Sequence, residues 1–200
     1  PTSSGLYCLN DATERKVGMM GSPQIVAVER FPDSVEEFVA LRDHLATTPQ
    51  GGAVMMVLAL YAYVRDPALG WPCLAVAVDR SRLQEGVTGY KGWELVPAER
   101  QRIAWRLKEQ GHLPLCYVLG TSSEEGYRLP PPPYRFELSD NLHSGSVESG
   151  SYKVFVRCSG AASPRPVTLK RNGRGHWKAY EWSSLLLGVV KPANPQQDDL

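Results

Sequence analysis

The densest grouping of chemically capable side chains lies near the C-terminal end, where Arg165, Lys170, Arg171, Arg174 and Lys178 interleave with His176, Trp177, Tyr180 and Trp182. Cations beside aromatic rings suit two kinds of partner. An acidic protein surface meets the charges, and nucleic acid adds bases that stack on the rings. Asn172-Gly173 at the centre reads as the turn of a hairpin, because Asn-Gly tolerates the positive φ angles of a tight turn. Alternation along the return strand divides the cluster, with Lys178, Tyr180 and Trp182 on one face and Trp177, Ala179 and Glu181 on the other. A basic turn of this kind also works as a solubilising edge that blocks unwanted strand pairing. The candidate interaction surface is therefore Arg165, Lys170, Arg171, Arg174, His176 and Lys178. Within it, Ser163-Pro164-Arg165-Pro166 holds an arginine between prolines, either as a recognition loop or as a rigid strand entry whose Arg meets local carbonyls.

Other chemistry finds little support. The sequence has no G-x-S-x-G, no H-E-x-x-H and no G-x-G-x-x-G. Gly145 and Gly150 stand at phosphate-loop spacing, yet Ser151 occupies the place of the phosphate-binding Lys, so a flexible loop is expected there. His143 neighbours Ser144 and Ser146, but adjacency in a loop does not make a nucleophile and its base. Glu124, Glu125 and Asp140 read as solvated loop carboxylates. The four cysteines, Cys8, Cys73, Cys116 and Cys158, form no C-x-x-C pair and sit near no His at zinc-ligand spacing. Cys73, Cys116 and Cys158 adjoin Leu74, Leu115 and Val156, as expected of buried thiols acting as small hydrophobes. A disulfide stays open, and spacing does not choose among the possible pairings. No catalytic, cofactor or metal site is expected.

The composition describes one ordinary soluble globular domain, or two small ones. The chain has 200 residues, 42% hydrophobic and 22% charged, enough apolar material for a sizeable core. Gly (18) and Pro (16) are abundant, so loops should be plentiful. The formal net charge of +1 offers no global field for nucleic acid or an anionic membrane. The longest apolar run, Ala53 to Val64, falls well short of the roughly 20 residues a bilayer span needs. The expected partner is another protein, with nucleic acid disfavoured and no membrane; oligomeric state is left open. No Asn-x-Ser/Thr sequon occurs, and a chain of this size needs no disulfide staples, which points to a reducing, cytoplasmic setting. Pro1 in place of Met marks a processed chain or a piece of a longer one, and leaves a removed leader open.

The elements that must position these residues fall into two halves. Loosely held tails are expected at 1–22 and 191–200, around a single α+β domain over 23–190. Ile25 to Val28 reads as a strand or the lead into a helix. Asp33 and Glu36 form a capping box for a helix of about 34–46, with Val35, Phe38, Val39, Arg42 and Leu45 on its inward stripe. After a Pro49-Gln50-Gly51-Gly52 break, an all-round apolar run should be a buried helix at the hub of the core. Asp66-Pro67 starts a third helix that Pro72 should kink. Arg80 to Glu94 reads as a long loop, and Pro97 opens a fourth helix to about Gln110, with Arg100, Ile103, Ala104 and Leu107 inward. These make a helical half over 33–111. In the β half, 113–190, alternation predicts strands at Leu113–Leu119, Tyr134–Leu138 and Tyr152–Cys158, the hairpin, and a terminal apolar turn at Leu185-Leu186-Leu187. Pro130 to Pro133 should form a stiff polyproline II connector, which if exposed would suit an aromatic-lined groove on a partner.

The segment Ser159 to Val189 resembles the C-terminal part of an uncharacterised family of bacterial domains with no assigned activity. The likeness lies in Ser-x-x-Ala-Ser-Pro-Arg-Pro, a hairpin with Trp on its return strand, and Glu-Trp-Ser-Ser before an aliphatic run. Arg65-Asp66-Pro67-Ala68-Leu69-Gly70 and Leu113-Pro-Leu-Cys-Tyr117, followed by Pro133-Tyr134, look like further landmarks, so the resemblance spans roughly 50–190. Trp71-Pro72 and the Leu83–Trp93 stretch depart from it. The resemblance implies a helical half plus a small sheet and supplies no catalytic residues. The functional expectation is a non-enzymatic protein-interaction domain, an adaptor or a neutralising partner of another protein. The rival is a small-ligand binder or enzyme with a pocket between helices and sheet, lined by Tyr90, Trp93, Trp105, Tyr117 and Tyr134.

Overall fold

The computed structural model describes residues 22–193. The tails expected at 1–22 and 191–200 fall outside the described residues except for residues 22 and 191–193, and Cys8 falls outside them too. The α+β architecture is as expected: four helices in the first half, and an antiparallel sheet built mostly from the second.

The chain enters as strand β1 (Gln24–Val28) and turns into helix α1 (Val35–Leu45). The helix start differs from the expected box by one residue. Ser34 is the N-cap, its hydroxyl accepting from the Glu37 N–H at 3.2 Å, while the Glu37 carboxylate accepts from the Asp33 N–H at 3.0 Å. Two reciprocal bonds satisfy donors that the first turn leaves open. Helix α2 (Pro49–Arg65) begins earlier than its composition suggests. Thr48 caps it by accepting from the Gly51 N–H at 3.1 Å, Pro49 sits at the first helical position, and the two glycines form the first turn rather than a break. They are there for contact: a Cβ on Gly51 would overlap the Leu45 carbonyl, and one on Gly52 would press on the Trp177 backbone. Every residue from Gly51 to Leu60 is buried, so this helix is the hub.

Helix α3 (Pro67–Ala77) is capped by Asp66, which accepts from the Ala68 N–H at 2.8 Å, and it runs through Pro72 without interruption. Proline's φ is itself helical, and the buried Cys73–Ala77 stretch holds the helix in place beyond it. The expected loop at 80–94 is instead a 3-10 turn (Arg80–Arg82) followed by a two-stranded ribbon, β2 (Leu83–Tyr90) and β3 (Trp93–Leu95). The glycines that suggested a loop are structural. Lys91 (φ 49°) and Gly92 (φ 81°) supply the two positive φ angles of the hairpin turn, and a side chain on Gly89 would overlap the Trp93 backbone. Helix α4 (Pro97–Glu109) follows, with Ile103 and Leu107 buried on the predicted stripe.

The Leu113–Leu119 stretch is not a strand. It forms turns around a 3-10 segment (Leu115–Tyr117), because Pro114 interrupts strand pairing and Cys116, Tyr117 and Val118 are all buried rather than alternating. The Pro130–Pro133 connector contains a cis bond between Pro132 and Pro133 and leads directly into β4 (Tyr134–Ser139). Then come β5 (Gly145–Ser146), β6 (Ser151–Val156), β7 (Arg165–Arg171), β8 (Trp177–Glu181) and a 3-10 turn, Ser183–Leu186, whose Leu185 and Leu186 are buried. The sheet order is β1-β4-β6-β7-β8, all antiparallel, with β5 beside β6. Phe136, Leu138, Val154, Val156, Val167, Leu169 and Ala179 form its buried face against α2.

Strand β8 ends the sheet, yet its edge is covered. The Trp177 N–H donates to the Ala46 carbonyl at 2.7 Å, and the Asp79 N–H donates to the Ala179 carbonyl at 2.8 Å. The ends of α1 and α3 therefore protect this edge, and the basic turn is not needed for that purpose.

Candidate functional site

The basic cluster lies on β7, β8 and the loop Asn172–His176 between them. The loop is wider than a two-residue turn. Asn172 shapes it with its side-chain oxygen, which accepts from the N–H groups of Arg174 and His176, each at 3.0 Å. The positive φ falls on Gly175 (84°) rather than on Asn172-Gly173. The Asn side chain substitutes for the missing ladder bonds, as in an Asx turn.

The six residues expected to share one surface divide into three groups. Arg171 and Arg174 are exposed, and Lys170 is half-buried with its ammonium 3.4 Å from the centre of the Tyr180 ring. Arg82 also lies over that ring, at 4.6 Å, and pairs with Glu181 at 3.2 Å. Among the described residues, no carboxylate forms an ion pair with Lys170, Arg171 or Arg174. These three stand in or beside the turn of the hairpin, with Lys170 over the Tyr180 ring and Arg171 5.7 Å from the centre of the Trp177 ring.

Lys178 is a correction. A place in the candidate interaction surface needs an accessible side chain, but the residue is only 8% exposed and its ammonium donates to the Val76 carbonyl in the last turn of α3. The covered edge of β8 explains this, since the helix ends enclose the position. A cation there is favourable to the helix dipole, while burial holds the amine down at about 8. Arg165 is half-buried and meets a local carbonyl, as the strand-entry reading expects. Its guanidinium donates to the Gly188 carbonyl at 2.7 Å, so it ties the strand entry to the chain after the 3-10 turn. His176 is half-buried, with Nε2 3.4 Å from Asp43; burial first, and then the Arg42 charge, hold the imidazole below its ordinary value against the pull of Asp43.

The aromatic pocket is not formed. Tyr117 is buried with its hydroxyl donating to the Leu185 carbonyl at 2.8 Å, Tyr134 stacks on Phe31 at 4.3 Å, and Trp93 lies under Arg80 at 3.1 Å. Trp105 is 60% exposed on α4. These rings serve separate parts of the core and surface. A cleft of about 770 Å³ lies elsewhere, at one end of the sheet, where Ser22 and Pro23 meet Glu137, Phe155, Cys158 and Pro164. The sequence showed no sign of it, because its walls come from three separated segments.

The remaining sequence candidates are structural. Ser144 is buried and its hydroxyl accepts from the Asn141 N–H at 3.0 Å, while the His143 N–H donates to the Asn141 side chain at 2.8 Å. They build a turn, not a nucleophile with its base. Among the described residues no group of three or more His, Cys, Asp or Glu is placed to hold a metal ion. No described helix is long and apolar enough to cross a membrane. The expected burial of Cys73, Cys116 and Cys158 is observed. Sequence spacing did not reveal that the sulfurs of Cys116 and Cys158 lie 3.4 Å apart.

No curated protein and no solved structure matches the chain. A family model described as Domain of unknown function (DUF6935) matches residues 30–193, which takes in all of the resemblance seen over 50–190 and extends it upstream through α1. The chain belongs to that family.

Proposed function

We propose that this chain is a binding module that captures an acidic segment of another protein at the turn of the β7–β8 hairpin. One observation carries the reading: Lys170, Arg171 and Arg174, in and beside this turn, form no ion pair among the described residues, with Lys170 over the ring of Tyr180 and Arg171 beside that of Trp177. Charges at the rim of an interface chiefly speed encounter and select partners of opposite sign. With a net charge of only +1, that attraction is local to this patch.

The test is capture from lysate of the source cells, using wild-type protein and the double reversal R171E/R174E as baits, compared by quantitative mass spectrometry. A stoichiometric acidic partner is expected with the wild type, reduced at least roughly tenfold with the variant and weakened by added salt. Capture that is unchanged by the reversal removes the hairpin from consideration. Both side chains are exposed, so the variant should fold.

A second reading rests on the cleft, whose volume of about 770 Å³ falls within the usual range for small-molecule sites. It joins apolar Phe155 and Pro164 to Glu137 and Arg157, which pair with each other at 3.1 Å. Thermal-shift screening with a metabolite library tests it, and a hit whose stabilisation is lost in F155A would support it.

A further inference from the structure

We propose that Cys116 and Cys158 form a reversible intramolecular disulfide, made by exchange with a low-molecular-weight disulfide that reaches Cys158 from the cleft. The two cysteines are 42 positions apart in sequence, and their sulfurs are 3.4 Å apart in the fold. A disulfide is about 2.05 Å long, so closure needs the sulfurs to approach by about 1.4 Å.

The two segments are already joined around the sulfurs. The Ser159 N–H and hydroxyl both donate to the Cys116 carbonyl, at 2.8 and 3.0 Å. The Ser159 hydroxyl also meets the Thr121 hydroxyl at 3.0 Å, and Thr121 bonds back to the Val118 carbonyl at 2.8 Å. The backbone on either side of the thiols is thus fixed by bonds that do not involve sulfur, and little ordering remains for the disulfide to impose.

The surroundings also make the two sulfurs unequal. Cys158 lines the large cleft, whereas Cys116 faces a recess of about 60 Å³ and donates its S–H to the Leu113 carbonyl at 2.7 Å. Contact with Cys116, then the Gly160 N–H and the Arg165 charge, hold Cys158 down at about 7, while the same contact and burial push Cys116 up. The thiolate, not the thiol, is the nucleophile in exchange. Cys158 is therefore the attacking residue and Cys116 the resolving one.

The steps balance with one co-reactant. The Cys158 thiolate attacks a sulfur of a disulfide such as oxidised glutathione, whose S–S bond breaks and releases one glutathione thiolate. Cys116 then attacks Cys158 Sγ in the mixed disulfide, releasing the second glutathione, and the Cys116 proton passes to that leaving thiolate. The two cysteines are oxidised by two electrons, and one glutathione disulfide becomes two glutathione thiols. A reduced thiol pool reverses both steps.

The native protein is incubated with oxidised glutathione, its free thiols are blocked, and it is mapped by non-reducing peptide mass spectrometry. The expected product carries a Cys116–Cys158 link, a mass lower by two hydrogens, and a Tm higher by roughly 10 °C, since the link closes a long loop of the unfolded chain. In C116S the reaction stops at one glutathione adduct on Cys158; in C158S neither link nor Cys116 adduct accumulates. Alanine variants at the same sites repeat the test should serine fold poorly, and the wild-type map needs no variant. A link between another pair, an adduct on Cys116 ahead of Cys158, or no Cys116–Cys158 link under conditions that oxidise the urea-unfolded chain would each overturn the proposal.

Discussion

The ammonium of Lys178 on β8 donates to the main-chain carbonyl of Val76 in the last turn of α3, so the covered edge of the sheet contains a buried charge at a helix C-terminus. Two effects oppose each other there. The helix dipole and the carbonyl favour the cation, and loss of hydration disfavours it. Desolvation wins, because the amine titrates at about 8 rather than at its ordinary 10.5.

This gives stability a pH dependence of definite sign. Between pH 8 and 10.5 the unfolded chain keeps the Lys178 proton and the folded chain loses it, so the unfolded state binds more protons and stability rises with pH. Below pH 8 the cost of the buried charge is fully present. The gain across the window should be about 2 kcal/mol, below the limit set by the full shift. Urea unfolding of wild type and K178M at several pH values measures it. The methionine keeps the apolar stem without the charge, so the difference between the two curves removes contributions from other lysines and tyrosines. A difference that is constant from pH 8 to 10.5 would contradict the account.

Tyr117 should contribute through one bond. Its ring is 1% exposed, and its hydroxyl donates to the Leu185 carbonyl at 2.8 Å, fastening the terminal 3-10 turn to the core. Tyr117→Phe keeps the ring and leaves that carbonyl buried without a donor, at a cost of about 1–2 kcal/mol. Calorimetry should then show a Tm lower by about 2–8 °C. Tyr180→Phe is the comparison, since Tyr180 acts here through its ring face, and its Tm should hardly move.

Much of this fold was legible in the sequence, for a physical reason. Helices declare themselves locally, through a capping signal one residue from the true cap at Ser34, through the cap at Asp66, and through stripes such as Ile103 and Leu107, so all four were expected, although the Thr48 cap that starts α2 was not. The terminal hairpin and apolar turn were visible in the same way. What stayed hidden depends on contacts between distant segments. Gly86, Gly89 and Gly92 look like loop residues until the β2–β3 ribbon supplies the close approach that Gly86 and Gly89 allow and the turn that needs a positive φ at Gly92. Lys178 counts among the candidate surface cations in the sequence because nothing local announces that α1 and α3 end beside it. Cys116 and Cys158 are each an ordinary buried thiol by their neighbours, and only the fold makes them a pair.

Gly52 offers a direct measure of how tightly α2 is seated on the sheet. A methyl group there would meet the carbonyl oxygen and Cβ of Trp177 on β8, and Trp177 is itself 1% exposed. Neither group is a flexible side-chain end, so Gly52→Ala should cost about 2–3 kcal/mol despite alanine's better helix propensity. Gly173→Ala in the hairpin loop meets nothing within 4 Å and needs no left-handed φ, so it should be neutral. Equal denaturation midpoints for the two variants would contradict the close packing of α2 on β8.

Thiol reactivity should separate the described cysteines in a fixed order. Cys73 is fully buried in α3, and burial pushes its thiol up to about 12 from 9.0, which lowers the thiolate fraction near neutral pH about a thousandfold before access is considered. Cys158 lines the cleft and is held at about 7 by its contact with Cys116. Timed iodoacetamide labelling of the native protein, followed by peptide mapping, should therefore find Cys158 modified first and Cys73 unmodified until the chain unfolds. Labelling of Cys73 at the rate seen in urea would mean that α3 opens readily. That would conflict with the Asp66 cap and the burial of Gly70 and Cys73 against the neighbouring helix, because a thiol enclosed this way reacts only as often as the helix detaches.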